Sequence, residues 1–156
     1  MSPAPIAVRP ARADELDTLA RWAEAMALET EGKRLDPVTV RAGIAAGLAD
    51  PAKARYFVAE RAGEPVGTLM LTTEWSDWRN AWWWWIQSVY VAPAARRGGV
   101  FRALYAEAER RARATPGVCG LRLYVENDNT RAQATYAALG MEDARYRVFE
   151  AGFSRG

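Results

Sequence analysis

Between Trp82 and Tyr105 the chain reads WWWWIQSVYVAPAARRGGVFRALY. An apolar, aromatic run gives way to a proline-marked turn, then to Arg96-Arg97-Gly98-Gly99-Val100-Phe101-Arg102, then to helix-forming residues. This order predicts a buried strand that delivers a loop onto the start of a helix. Backbone N–H groups without helical acceptors converge there with the positive end of the helix dipole, which suits an anion. Arg96, Arg97 and Arg102 add charge. The chemistry indicated is the cradling of a phosphorylated ligand.

What the chain lacks narrows the remaining chemistry. With no histidine, the commonest general base and metal ligand is missing, and Ser-His-Asp and Cys-His mechanisms are excluded. Cys119 is the only cysteine, so no intrachain disulfide and no cysteine-based zinc site can form. No metal is expected. Proton transfer is left to carboxylates or water.

A chain of 156 residues, half apolar and a quarter charged, fits one globular domain over residues 1–156. Its net charge of +2 is too small, and its loop arginines too local, for nucleic acid to be the expected partner. Residues 1–10 carry prolines and no long apolar run, so they do not read as a signal peptide. Trp82–Val91 is too short to span a bilayer. A reducing cytoplasm is the expected compartment, with no membrane partner.

The elements that must position the glycine loop follow from local pattern. Ile6 and Val8 suit a short first strand ending at Pro10. Asp14 reads as the cap of a helix whose face is Leu16, Leu19, Ala20, Ala23, Met26 and Ala27, with Gly32 as its stop. Asp36-Pro37 opens a second helix, weakened by Gly43 and Gly47. Ala54–Arg61 and Pro65–Glu74 form a hairpin around Ala62-Gly63-Glu64, and a polar and aromatic loop leads into the tryptophan strand. Strict alternation on that strand puts Trp83, Trp85, Gln87, Val89 and Val91 on one side and Trp82, Trp84, Ile86, Ser88 and Tyr90 on the other. Val100, Leu104, Ala108 and Ala112 line the next helix. Cys119–Glu126 is a further strand, with Cys119 buried among core residues. Asn129 caps the last helix, Gly140 stops it, and Tyr146–Glu150 reads as a closing strand.

Two motifs carry a resemblance. Arg96-Arg97-Gly98-Gly99-Val100-Phe101 resembles the Arg/Gln-x-x-Gly-x-Gly/Ala pyrophosphate loop of the GNAT superfamily of N-acetyltransferases, with Phe101 in place of the last small residue. Asn129-x-x-Ala132-x-x-x-Tyr136-x-x-Leu139-Gly140-Met141 resembles that family's Asn-x-x-Ala-x-x-x-Tyr-x-x-x-Gly-Phe, with Met141 replacing phenylalanine. They occur in family order. The resemblance implies an α/β (α+β) fold: a central mixed, mostly antiparallel twisted sheet with helices on both faces.

It also implies acetyl-CoA as co-substrate, with the pyrophosphate on the backbone of Arg96, Arg97, Gly98, Gly99, Val100, Phe101 and Arg102. The pantetheine arm would lie along Val89, Tyr90 and Val91, with Asn129 touching it from the other side. Tyr136 would stand near the sulfur and protonate the departing thiolate. The bulky Phe101 must then turn away from the ligand into the core. A catalytically weak acyl-CoA-binding sensor or interaction module is the alternative reading.

An amine acceptor must lose a proton before it attacks, because a lysine-like amine is neutral only about once in several thousand molecules at pH 7. Glu74, ending the strand beside the tryptophan strand, is the leading base, with Asp77 and Glu126 as alternatives. Trp83 and Trp85, with Gln87 on the same side, are candidates to wall the acceptor pocket and, together with Trp75 or Trp78, to hold a cation or an aromatic amine by their ring faces. Polyamine, amino acid, aminoglycoside, aromatic amine and protein N-terminus all remain open. Phe149 and Phe153 could form a homodimer contact or cap the core.

Overall fold

Two turns with left-handed residues fold three consecutive strands into a meander: β1 precedes them at Ile6–Pro10, and β2 (Arg55–Arg61), β3 (Glu64–Ser76) and β4 (Ala81–Val91) follow. Ala62 (φ 52°) and Gly63 (φ 80°) make the first turn, a two-residue connection whose twist matches the strands it joins. Asn80 (φ 50°) closes the second. β1 pairs antiparallel with β2, and β5 (Val118–Leu123) pairs parallel with β4, giving the order β1-β2-β3-β4-β5. The sheet is thus mixed and mostly antiparallel. This is the computed structural model of the chain, and it describes residues 4–153. The first three residues of the stretch read above as no signal peptide lie outside that range.

Helices cover both faces. The register Tyr56–Met70–Gln87 and Val58–Thr68–Tyr90 defines one face, and α1 (Leu16–Glu31) and α2 (Pro37–Ala49) pack there through Leu19, Ala20, Ile44 and Val58. Trp22 meets Tyr90 with ring centroids 6.0 Å apart. On the other face, α3 (Val100–Ala114) buries Val100, Leu104 and Ala108, and its Arg111 guanidinium lies 4.7 Å from the ring of Phe57.

Local chemistry sets the helix ends. The expected cap at Asp14 is replaced by a 3-10 turn over Ala13–Glu15, in which the Glu15 carboxylate accepts the Arg12 N–H at 2.8 Å. Asp36 does cap α2, accepting the Thr39 N–H at 3.2 Å with Pro37 in the first turn. The two α2 glycines differ in purpose. A Cβ on Gly47 would lie 3.0 Å from the Tyr56 ring, so that glycine lets helix and sheet approach, whereas a Cβ on Gly43 would meet nothing within 4 Å.

β4 is not a regular strand. Met70 pairs with Gln87 and Thr68 with Tyr90, so Leu69 alone opposes Ser88 and Val89, and Ser88 takes φ 51°. This is a β-bulge, which breaks alternation. It corrects the side assignment read from sequence: Tyr90 joins Trp83, Trp85 and Gln87 on the α1/α2 face, and Val91 turns to the α3 face.

By contacts the chain divides into Met1–Tyr124 and Val125–Gly156. The second unit contains α4 (Thr130–Ala138), whose Asn129 side chain accepts the Ala132 N–H at 3.0 Å, followed by Gly140 at φ 93°. The closing strand expected at Tyr146–Glu150 does not form: residues 141–153 carry no strand, and Phe149 and Phe153 are exposed. Alternation specifies which side chains share a face but supplies no partner, and residues 125–153 hold no second strand to pair with. Cys119, expected to be buried, is exposed, and its thiol donates to the Trp82 carbonyl at 3.4 Å.

Candidate functional site

The glycine loop is built as the sequence order requires, by a strand, a 3-10 turn at Pro93–Ala95 and the start of α3. Arg97 (φ 65°) and Gly99 (φ 82°) both sit in the left-handed region, the kind of backbone that curls into an anion-binding concavity. The first bond of α3 across the loop runs from the Ala103 N–H to the Gly99 carbonyl at 3.0 Å. The amides of that first turn have no acceptor within the helix itself.

Gly98 is hemmed in, since a Cβ there would stand 3.1 Å from the Ala95 carbonyl oxygen and 3.2 Å from Arg61 Nη1. Arg61 in turn donates to the Gly98 carbonyl at 3.1 Å and fixes the loop to β2. The loop and the first turn of α3 thus enclose a glycine-lined concavity braced against β2. Val100 is fully buried beneath it, and the half-buried Phe101 directs its ring along α3, 6.2 Å from that of Tyr105.

The three arginines do different jobs. Arg96 donates from Nη2 to Glu29 Oε2 at 2.8 Å and from Nε to the Val91 carbonyl at 3.0 Å, and its guanidinium lies 5.4 Å from the Tyr90 ring. The Tyr90 hydroxyl donates to Glu29 Oε1 at 3.2 Å. Burial and the Glu29 carboxylate push the Tyr90 hydroxyl above its ordinary pKa, while Arg96 holds Glu29 below its own. Arg96 is therefore a latch between the loop, β4 and the end of α1. Arg97 and Arg102 are exposed and make no ion pair among the described residues, which leaves their charge for an incoming anion.

β4 pairs with β5 only as far as Ile86–Leu123. Beyond it, from Gln87 to Val91, β4 has β3 on one side and, among the described residues, no strand on the other. The stretch comprising Val89, Tyr90 and Val91 thus offers main-chain groups along an open edge that leads to the loop, although the Val91 carbonyl already accepts from Arg96.

At the far end of the same face Glu74 pairs with Trp83 and Thr72 with Trp85. Glu74 Oε1 accepts from both the Trp85 indole N–H and Arg122 Nη1, each at 2.9 Å, and Gln87 donates to the Thr72 hydroxyl at 2.6 Å. The Arg122 guanidinium lies 4.0 Å from the Trp83 ring and 5.9 Å from that of Trp85, with Arg79 5.0 Å from Trp83. Two arginines of the chain thus already lie against these rings. Sequence reasoning missed Arg122, whose only signal was its place on the polar side of β5, two residues beyond Gly120. That glycine lies against Trp83, because a Cβ there would be 2.5 Å from Trp83 Cζ3.

A cavity of about 350 Å³ lies between α1, α2 and the bulged part of β4, lined in part by Trp22, Met26, Ile44, Tyr56, Ser88 and Tyr90. It too went unread in the sequence, because the bulge that brings Ser88 and Tyr90 to it has no signature in the residue types. In the second unit, Asn129 is engaged as the α4 cap, and burial pushes the hydroxyl of the half-buried Tyr136 above its ordinary pKa.

These features agree with what comparison finds. No protein of curated function matches the chain. A possible acetyltransferase from Clostridium difficile 630 is 41% identical, with a TM-score of 0.89 over 96% of this chain and 99% of its own. A GCN5-related N-acetyltransferase from Ralstonia eutropha JMP134 shares the fold at 23% identity, with a TM-score of 0.74 over 94% and 99% of the two chains. So does a predicted acetyltransferase from Clostridium acetobutylicum solved with acetyl-CoA, at 13% identity and a TM-score of 0.75 over 94% and 96%. The model of the Acetyltransferase (GNAT) family matches residues 16–141, from the first residue of α1 to the methionine after Gly140. A match that takes in the bulged strand, the glycine cradle and the capped last helix in one span places this chain in the GNAT family of acetyltransferases.

Proposed function

We propose that the protein transfers an acetyl group from acetyl-CoA to an amine by direct attack within a ternary complex. The observation that carries this reading is the continuity of a β4 edge, with no strand beside it among the described residues, with a loop shaped by Arg97 and Gly99. Family membership and the fold shared with a protein solved with acetyl-CoA support the choice of coenzyme. Acetyl-CoA supplies an activated thioester.

In this reading the loop amides, with Arg97 and Arg102, bind the diphosphate, and the edge at Val89–Val91 orients the arm by strand-like pairing. A backbone N–H of that edge stabilises charge developing on the carbonyl oxygen. Glu74 takes the acceptor's proton through water, since a carboxylate that accepts two bonds on one oxygen still has lone pairs on the other. Tyr136 protonates the departing thiolate, and Asn129 steadies the arm. Trp83, Trp85 and Gln87 wall the path of the acceptor.

The test is a free-thiol assay with acetyl-CoA and a panel of amines, run on the wild type and Tyr136→Phe. Amine-dependent thiol release that falls at least about tenfold in the variant, with acetyl-CoA binding kept, is expected. Unchanged turnover would remove the acid role. A second reading, an acyl-CoA-binding module with little turnover, draws on the engagement of Glu74 by Arg122. Coenzyme binding with no thiol release from any amine would favour it.

A further inference from the structure

We infer that the acceptor is a compact amine with an apolar body and no carboxylate, seated in the cavity between α1, α2 and the bulge of β4. The inference rests on the acetyl-transfer reading above and adds a substrate class to it. At about 350 Å³ the cavity falls at the small end of the range for ligand sites. Leu19, Trp22, Met26, Val40 and Ile44 supply apolar walls. Ser88 is at once a lining residue and the bulge residue, so the cavity adjoins the point where β4 leaves β5.

The polar groups of the cavity decide what else it accepts. Thr68 already donates to the Phe57 carbonyl at 2.7 Å, Thr30 to the Met26 carbonyl at 2.7 Å, and Tyr90 to Glu29. Only the hydroxyls of Tyr56 and Ser88 are uncommitted among the lining side chains with hydroxyls, too few for a sugar or a peptide backbone. Among the described residues no lysine or arginine lines the cavity, so an acceptor's carboxylate would be left unpaired. Glu31 does line it, in the last turn of α1, a turn without a basic residue and at the negative end of the helix dipole. Glu31 makes no ion pair among the described residues. A carboxylate on the acceptor would therefore meet like charge here as well as lacking a partner.

Two matched probes test the idea. 2-Phenylethylamine and phenylalanine differ only by a carboxylate, and spermidine supplies charge without an apolar body. With acetyl-CoA, kcat/KM for 2-phenylethylamine should exceed both others by at least roughly tenfold. Gly43→Leu then fills the cavity: position 43 shares a helical face with Val40, Ile44 and Gly47, and a Cβ there meets nothing within 4 Å. It should raise the KM for 2-phenylethylamine at least about tenfold while leaving acetyl-CoA affinity and Tm unchanged or higher.

Preference for phenylalanine or spermidine, or an unaltered KM in Gly43→Leu, would overturn the assignment. If no amine releases thiol, titration with 2-phenylethylamine followed by tryptophan fluorescence still decides. Saturable binding lost in Gly43→Leu supports the cavity while the transfer reading fails. No saturable binding in the wild type sinks the cavity.

Discussion

A methyl group on Gly67 would stand 2.7 Å from Val100 Cγ1 and 3.0 Å from the Tyr90 carbonyl oxygen. The missing side chain on β3 lets the first residue of α3 press against the sheet under the exit of β4, and so sets where the glycine cradle sits. Overpacking at such a contact shifts the helix start at a cost of about 1–3 kcal/mol. Gly67→Ala should lose that much stability in chemical denaturation and should weaken acetyl-CoA binding in calorimetry. Lost stability with full coenzyme affinity would mean that the cradle is positioned by something other than this contact.

The arginines of the loop should separate in function. Arg97→Ala should weaken acetyl-CoA binding by roughly three- to tenfold and flatten its salt dependence, as expected for an exposed charge facing a screened anion. Arg96→Ala should act instead through its latch on Glu29 and the Val91 carbonyl, lowering Tm. Calorimetry at two ionic strengths, alongside melting curves, distinguishes them. Equal salt slopes in the two variants would contradict the division of labour.

Acid stability should depend on Glu15. Its carboxylate, with the side chain only 8% exposed, accepts from Arg9 at 2.8 and 2.9 Å and from the Arg12 N–H. The Arg9 hydrogen bonds are the largest cause of its depressed pKa, aided by Arg12 and opposed by burial. A depressed folded value means that the stabilisation is fully present above the unfolded pKa of about 4.3 and is lost as pH falls through the lower folded value. Glu15→Gln should cost about 2–3 kcal/mol at pH 7 and should flatten the loss of stability below about pH 4. Parallel pH curves for the two proteins would rule this pair out as the acid-sensitive element.

Much of the arrangement was legible because local signals agreed with the fold. Asp36-Pro37, Gly32, Ala62-Gly63 and Gly140 each mark a boundary through a residue whose conformational preference is strong. What escaped reading came from pairing rather than composition. Ser88 adopts a left-handed conformation that serine does not advertise, so strict alternation misplaced Tyr90 and Val91. Arg122 reaches Trp83 only because β5 runs parallel to β4 with Gly120 opposite Trp83, a register that no local pattern encodes. Tyr146–Glu150 shows the converse, a strand-like pattern without a neighbouring strand.

Glu74 is where proton transfer and positioning can be told apart. It holds the Trp85 indole and Arg122 through one oxygen, so its removal alters ring geometry as well as proton acceptance. Glu74→Gln retains an oxygen able to accept from Trp85 but cannot take a proton. If Glu74 receives the acceptor's proton, kcat should fall by at least about a hundredfold, and activity should recover toward high pH, where the amine is already neutral. If it only positions Trp85 and Arg122, kcat should stay within about threefold with an unchanged pH profile, while the acceptor's KM rises. Arg122→Lys adds the complementary reading. It retains charge but not the planar group over Trp83, so a rise in the amine's KM with kcat intact would assign the pair to positioning, whereas a fall in kcat matching that of Glu74→Gln would tie both residues to the proton's path.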